Sequence, residues 1–147
     1  MSKPHLALAF VVATEIAALT LAGDDAHDKG KPARKTLSQR DIAEKIDGKK
    51  AKATTVELTL EPGPASAPHR HPGPVFGYVL EGEYEWAIDD QPAKTLKAGE
   101  TFYEPTNCLH RVSRNPSDKA KARVLALVLH PSDTKDIAVP EKPEKKE

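Results

Sequence analysis

The stretch HRHPGPVFGYVLEG, from His69 to Gly82, decides the fold. It opens on the triplet His69-Arg70-His71 and runs on through Val75, Phe76, Tyr78, Val79 and Leu80 to Gly82. Residues i and i+2 of an extended segment project to the same side, so His69 and His71 offer two imidazoles to one point in space. That is a metal-ligand geometry, and His110 supplies a third imidazole further along.

Outward from this stretch the patterning has period two. Val56, Leu58 and Leu60 alternate with Thr55, Glu57, Thr59 and Glu61, which describes a half-buried strand ended by Pro62-Gly63-Pro64. Residues 75–80 form a second strand and 83–88 a third, with Tyr84, Trp86 and Ile88 on one face and Gly82 at the tight junction. Asp89-Asp90-Gln91-Pro92, Ala98-Gly99-Glu100 and Pro105-Thr106-Asn107 are turns around short strands at 95–97 and 101–104. Residues 110–113 and 123–129 complete the set, the last apolar on both faces as inside a sandwich. Many short strands without crossover helices imply an all-β chain, an antiparallel sandwich or barrel.

The flanks carry a different composition. Residues 6–13 are apolar after Lys3, and Thr20-Leu21-Ala22 resembles a small-residue cleavage site, so 1–22 reads as a signal peptide. Glu15 interrupts the run, and a short apolar helix or degenerate membrane anchor is the other reading; the run is too short to span a bilayer. With export, the mature protein begins near Gly23 and works in the periplasm or outside the cell; otherwise it is cytoplasmic. Residues 23–36 are charged and punctuated by Gly30 and Pro32, a flexible linker. A short helix is expected over 38–46, with Ser38 as N-cap, Ile42, Ala43 and Ile46 on one face, and Gly48 as its stop. Ile137, Ala138 and Val139 suggest a short edge strand, and 140–147 a solvated charged tail.

The 147 residues suit one domain, placed at 37–139. Lysine and arginine number 22 against 22 aspartate and glutamate, with no basic run to follow a phosphate backbone, so nucleic acid is an unsuitable partner and a small molecule a suitable one. Cys108 is the single cysteine, which excludes a disulfide framework and a thiolate zinc cluster. Nitrogen and oxygen must hold any metal. Cys108 itself is either a thiol beside that metal, two positions before His110, or a small buried hydrophobe. Phe76, Tyr78, Trp86 and Tyr103 are candidates to line a cavity, two of them as core packing instead. Arg111 and Arg114 flank His110 and could meet an anionic substrate, although alternation sends Arg111 to solvent. His5, His27 and His130 receive no role.

Gly63, five residues, His69-Arg70-His71, and then Gly82 eleven positions on resemble the first signature motif of the cupin superfamily. Gly99, five residues, Pro105 and then His110 resemble the second. The resemblance implies a single small jelly-roll barrel over roughly 36–139, holding a metal inside through His69, His71 and His110. It also implies a glutamate four positions after His71, where this chain has Val75. Asn107 stands where a glycine is usual, a mild change because asparagine tolerates the left-handed conformation. The asparagine expected after the third histidine is displaced to Asn115.

Three imidazoles with open positions suit zinc, iron, nickel, copper or manganese. Glu104, just before Pro105, is the acid available as replacement ligand or as acceptor from a ligand, unless it merely faces solvent; Glu104 and Tyr103 are the catalytic candidates. Within the cupins the nearest activity is a metal-dependent, dioxygenase-type reaction on a small molecule such as a flavonol, a thiol or an acidic organic. The alternative is a non-catalytic module that sequesters or senses a metal or small ligand. The resemblance and the need to protect sheet edges imply a homodimer.

Overall fold

The period-two alternation of residues 55–61 belongs to a strand that reaches well upstream of it. In the computed structural model, which describes residues 32–63 and 65–142, the strands are β1 (Ala33–Ile46), β2 (Lys49–Leu60), β3 (His69–Arg70), β4 (Val75–Glu81), β5 (Glu83–Ile88), β6 (Lys94–Lys97), β7 (Thr101–Glu104), β8 (Leu109–Arg114), β9 (Ala122–Pro131) and β10 (Val139–Pro140). Two antiparallel five-stranded sheets result, ordered β1-β2-β9-β4-β7 and β10-β3-β8-β5-β6. They face each other as the jelly roll that the short-strand pattern implies. The described residues contain no helix. The leader expected over 1–22 and most of the linker lie outside the described residues.

Two expectations on the N-terminal side are corrected. Residues 38–46 are not a helix but the second half of β1, paired antiparallel with β2 from Ser38↔Thr55 to Ile46↔Lys49. Ser38, Ile42 and Ile46 are the half-buried positions of that strand. Separations of four are even, so they share a strand face as readily as a helix face. Gly48 is no helix stop: Asp47 (φ 51°) and Gly48 (φ 73°) make a two-residue connection with both central φ angles positive, the type I′ hairpin signature of Asp-Gly. The linker also ends earlier than residue 36, because Ala33 to Thr36 already pair with Thr59 to Val56.

Inward-facing Val56, Leu60, Val75, Val79, Val124 and Val128 of the first sheet meet Tyr84, Trp86 and Ile88 of the second. Each such burial is worth about 1.5–3 kcal/mol. Phe102 fills the gap, its ring 5.4 Å from Tyr84 and 5.7 Å from Trp86. The ring lies flat over Gly77, its partner across β4 and β7, where a Cβ would come within 2.0 Å of it.

Asn107 takes the left-handed conformation expected of it, with φ 61°. The chain then returns to cover the histidines. Val139 pairs with Arg70 and Pro140 with His69, the Glu141 amide donates to the Pro68 carbonyl, and Arg70 Nε pairs with Glu141 at 2.7 Å. Pro140 and Glu141 are therefore part of the fold rather than the start of a solvated tail, and residues 143–147 lie outside the described residues.

Candidate metal centre

Strand pairing sets His69 directly opposite His110 across β3 and β8. His71 follows β3 two positions on, so alternation turns it toward the same cavity. One nitrogen from each of the three rings falls within 4.8 Å of the others, with His69 4.9 Å from His71 and 4.8 Å from His110 between ring centroids. The Asn107 amide donates to the His71 carbonyl, and Arg70 Nη1 donates to the Asn107 carbonyl. These two bonds tie the turn before His110 to the His-x-His segment.

Backbone acceptors fix two tautomers. His69 Nδ1–H donates to the Ala67 carbonyl at 2.9 Å, and His71 Nδ1–H donates to the Ile137 carbonyl. A carbonyl only accepts, so both Nε2 atoms keep their lone pairs for the cavity. Around His110, the Tyr84 hydroxyl donates to Ser113 Oγ at 2.9 Å and so accepts from His110 Nε2–H at 3.3 Å. That leaves His110 Nδ1 bare, a buried nitrogen without a hydrogen-bond partner.

The three-donor group is His69, His71 and His110 alone, and Glu104 lies beside two of its members, His71 and His110. Glu104 stands on β7 directly opposite Val75 of β4, the position where the resemblance places a glutamate, so the carboxylate has moved sideways by one strand into the same cavity. Opposed residues on one face have Cβ atoms about 4.5–5.5 Å apart. Its Oε1 is 3.2 Å from His110 Nδ1 and its Oε2 3.5 Å from His71 Nε2. Metal bonds of about 2.0–2.2 Å space the donors of one shell about 3.0–3.5 Å apart, and these distances match. Trp86 Nε1–H donates to Oε1 at 3.1 Å and fixes the carboxyl plane. Glu104 is 1% exposed, not a solvent-facing residue.

Burial dominates the electrostatics of the cluster. Burial pushes the Glu104 carboxyl up to about 7, against the opposing Trp86 hydrogen bond. Burial holds His71 down to about 4 and His110 to about 3, the neighbouring histidines adding to both, and lowers His69 as well. The positive charge of Arg34 works in the same direction on His69 and His71. Three neutral imidazoles therefore face a carboxyl whose Oε2 is buried without a partner. Unpaired buried polar atoms are costly, and a bound cation would satisfy His110 Nδ1 and Glu104 Oε2 together. The donor set of three nitrogens and one carboxylate fits a divalent transition metal.

The remaining candidates lie elsewhere. Tyr103 is 50% exposed on the outer face of β7, because alternation turns it away from Glu104. Phe76 and Tyr78 face outward on β4, whereas Trp86 packs in the core. None of the four aromatics lines the cavity. Cys108 packs in the apolar core, where burial pushes its thiol up to about 11. Arg111 donates to the Asp89 and Gln91 carbonyls, and Arg114 pairs with Glu85. Asn115 clamps its own loop through the Leu60 and Ala120 carbonyls. His130 is buried against Thr54 Oγ1 at 2.8 Å, away from the cavity, and His5 and His27 lie outside the described residues. Arg34 and Phe102 do line the cavity. Sequence reasoning passed over Arg34 because it stood in an apparent linker.

The cavity has a volume of about 510 Å³, within the range of small-molecule sites. The three imidazoles and Glu104 share its wall with apolar side chains such as Val56, Leu58 and Phe102.

A two-sheet jelly roll with an inward histidine cluster defines the class of small cupin barrels. Residues 56–128 match the Cupin domain family, and this part of the chain is a small cupin domain. Solved structures share the architecture. A protein with a double-stranded β-helix domain from Klebsiella pneumoniae is 21% identical, with a TM-score of 0.58 over 78% of this chain and 88% of that one. The DMSP lyase DddQ from Ruegeria pomeroyi is 22% identical with a TM-score of 0.55, over 79% of this chain; this chain spans 54% of the lyase. A Cupin 2 conserved barrel domain protein from Salinispora arenicola is 18% identical with a TM-score of 0.52, over 69% of this chain and 76% of that one. No curated protein matches the sequence. At such identities the likeness is one of fold alone.

Proposed function

We propose that the chain is a metal-dependent small-molecule enzyme of dioxygenase type, its divalent metal held by His69, His71 and His110 with Glu104 as fourth ligand. The observation that carries this reading is the buried Glu104 carboxyl, set 3.2 and 3.5 Å from bare nitrogens of His110 and His71 and lacking a partner for Oε2. A metal bound there would polarise a coordinated substrate oxygen or sulfur and lower its pKa. The protein's own part is positional: the Ala67 and Ile137 carbonyls aim two imidazoles, Tyr84 aims the third, and Trp86 holds the carboxylate. The apolar walls limit water around the substrate. The wider reading includes export through the leader and assembly as a homodimer.

Elemental analysis of the purified full chain, beside His110→Ala, comes first. Near-stoichiometric iron, manganese, nickel or copper that is lost in the variant, followed by oxygen uptake with a flavonol, thiol or organic acid, is the expected result. A metal-loaded protein that consumes no oxygen in that screen would favour the second reading, a barrel that binds a metal or small ligand without turnover. One observation supports that alternative: Glu104 is the sole carboxylate among the described lining residues, so once it ligates a metal no other acid remains there as a general base. Absence of metal after reconstitution would sink both metal readings.

A further inference from the structure

Outside the metal-binding group the cavity has few polar features. Tyr84 and Ser113, both in its lining, are bonded to each other. Ser66 Oγ is buried in the lining without a partner. Arg34, two residues on from Pro32 on the inner side of β1, brings a guanidinium to the same cavity and is its one permanent cation among the described lining residues. The rest is largely aliphatic, with Val56, Leu58 and Ile137 between these groups.

Charge bookkeeping then selects a ligand. A divalent metal with one ionised Glu104 leaves the metal centre at +1, and Arg34 raises the cavity to +2. Arg34 is exposed, so water screens much of its share, but the charge at the buried histidine cluster is poorly screened, and a neutral or cationic ligand leaves it uncompensated. An anion reduces it, and the planar guanidinium matches a carboxylate in two parallel hydrogen bonds. The 510 Å³ of mostly apolar space asks that the remainder of the ligand be hydrocarbon or aromatic. We propose that the cavity takes a small organic carboxylate with an apolar body, anchored by the Arg34 guanidinium, with Ser66 Oγ as the second polar contact and the far end of the ligand facing the histidine cluster. This assignment rests on the reading of that cluster as a metal site. Arg34 acts here as a binding residue that orients the ligand, with no part in bond making.

Calorimetric titration of the full chain tests it. Zinc, which has no redox chemistry, loads the site so that binding is read without turnover. The probes are matched acids and amides: 3-phenylpropanoate with 3-phenylpropanamide, and hexanoate with hexanamide. Each acid is expected to bind about fivefold or more tightly than its amide, since Arg34 is partly solvated. Arg34→Gln should remove most of that preference at unchanged zinc content, and Arg34→Lys should retain part of it. Equal binding of acid and amide, no binding by any acid, or a preference unchanged in Arg34→Gln would overturn the proposal. A preference that survives Arg34→Gln but disappears with zinc would assign the carboxylate to the metal instead. Should zinc fail to bind while the preference still depends on Arg34, the metal reading fails and the anion site stands.

Discussion

Glu104 is a fully buried carboxyl on which the proposed metal would act directly. Its carboxyl titrates near 4.5 when unfolded and about 7 when folded, so the folded state binds the extra proton between those values. Its contribution is intact below pH 4.5 and is lost as pH rises through 7, at a cost of up to about 3 kcal/mol. Glu104→Gln in metal-free protein should therefore gain stability over wild type at pH 8 and little at pH 4.5, read from urea midpoints. Metal reverses the sign: the same variant should bind zinc about 10–100-fold more weakly at pH 8. An unchanged zinc affinity would remove Glu104 from the ligand set. Alanine at His69, His71 or His110 should abolish stoichiometric metal while circular dichroism stays all-β. Full occupancy in His110→Ala would show that the cluster is not one site. The i, i+2 spacing made two of these histidines legible as a pair, because alternation is a local property. Glu104 was legible only as a nearby acid; its place beside Val75 depends on the register between β4 and β7, which no local pattern reports.

At the level of elements β4 to β9 read correctly because each carries its own alternation and its own turn residues, whereas the edge strand expected over 137–139 lies at Val139–Pro140. β1 did not read correctly, since Ser38, Ile42 and Ile46 suit both periods and its outer positions are polar. The deciding signal was Asp47-Gly48, whose positive φ angles commit the chain to a hairpin. Gly48 meets nothing within 4 Å of an added Cβ, so Gly48→Ala should cost only the left-handed strain, about 1 kcal/mol. Gly77→Ala should cost more, about 1–3 kcal/mol or beyond, because a Cβ there collides with the Phe102 ring at 2.0 Å. Thermal denaturation of both variants orders them; a Gly48→Ala loss exceeding that of Gly77→Ala would contradict the packing of Phe102 on β4.

Across the whole molecule, the outer face of β4 and β7 presents Phe76, Tyr78, Leu80 and Tyr103, exposed by 50, 42, 37 and 50%, with the Phe76 and Tyr103 rings 5.3 Å apart. A patch of that kind on a sheet ending in an edge strand is expected to meet a second copy. Sedimentation should show a dimer for the wild type and a monomer for Tyr103→Glu, with the metal content of both unchanged; a monomeric wild type would leave the patch to another partner. At the opposite side the ligand-bearing segment is closed by residues 137–141, whose Ile137 carbonyl orients His71 and whose strand pairs with β3. The histidines are translated well before that closure. A nascent chain still lacking residues 137–141 has both His71 and His110 in hand but no carbonyl to set the first, so the aim of the His71 ring is fixed only once the ribosome has delivered Ile137.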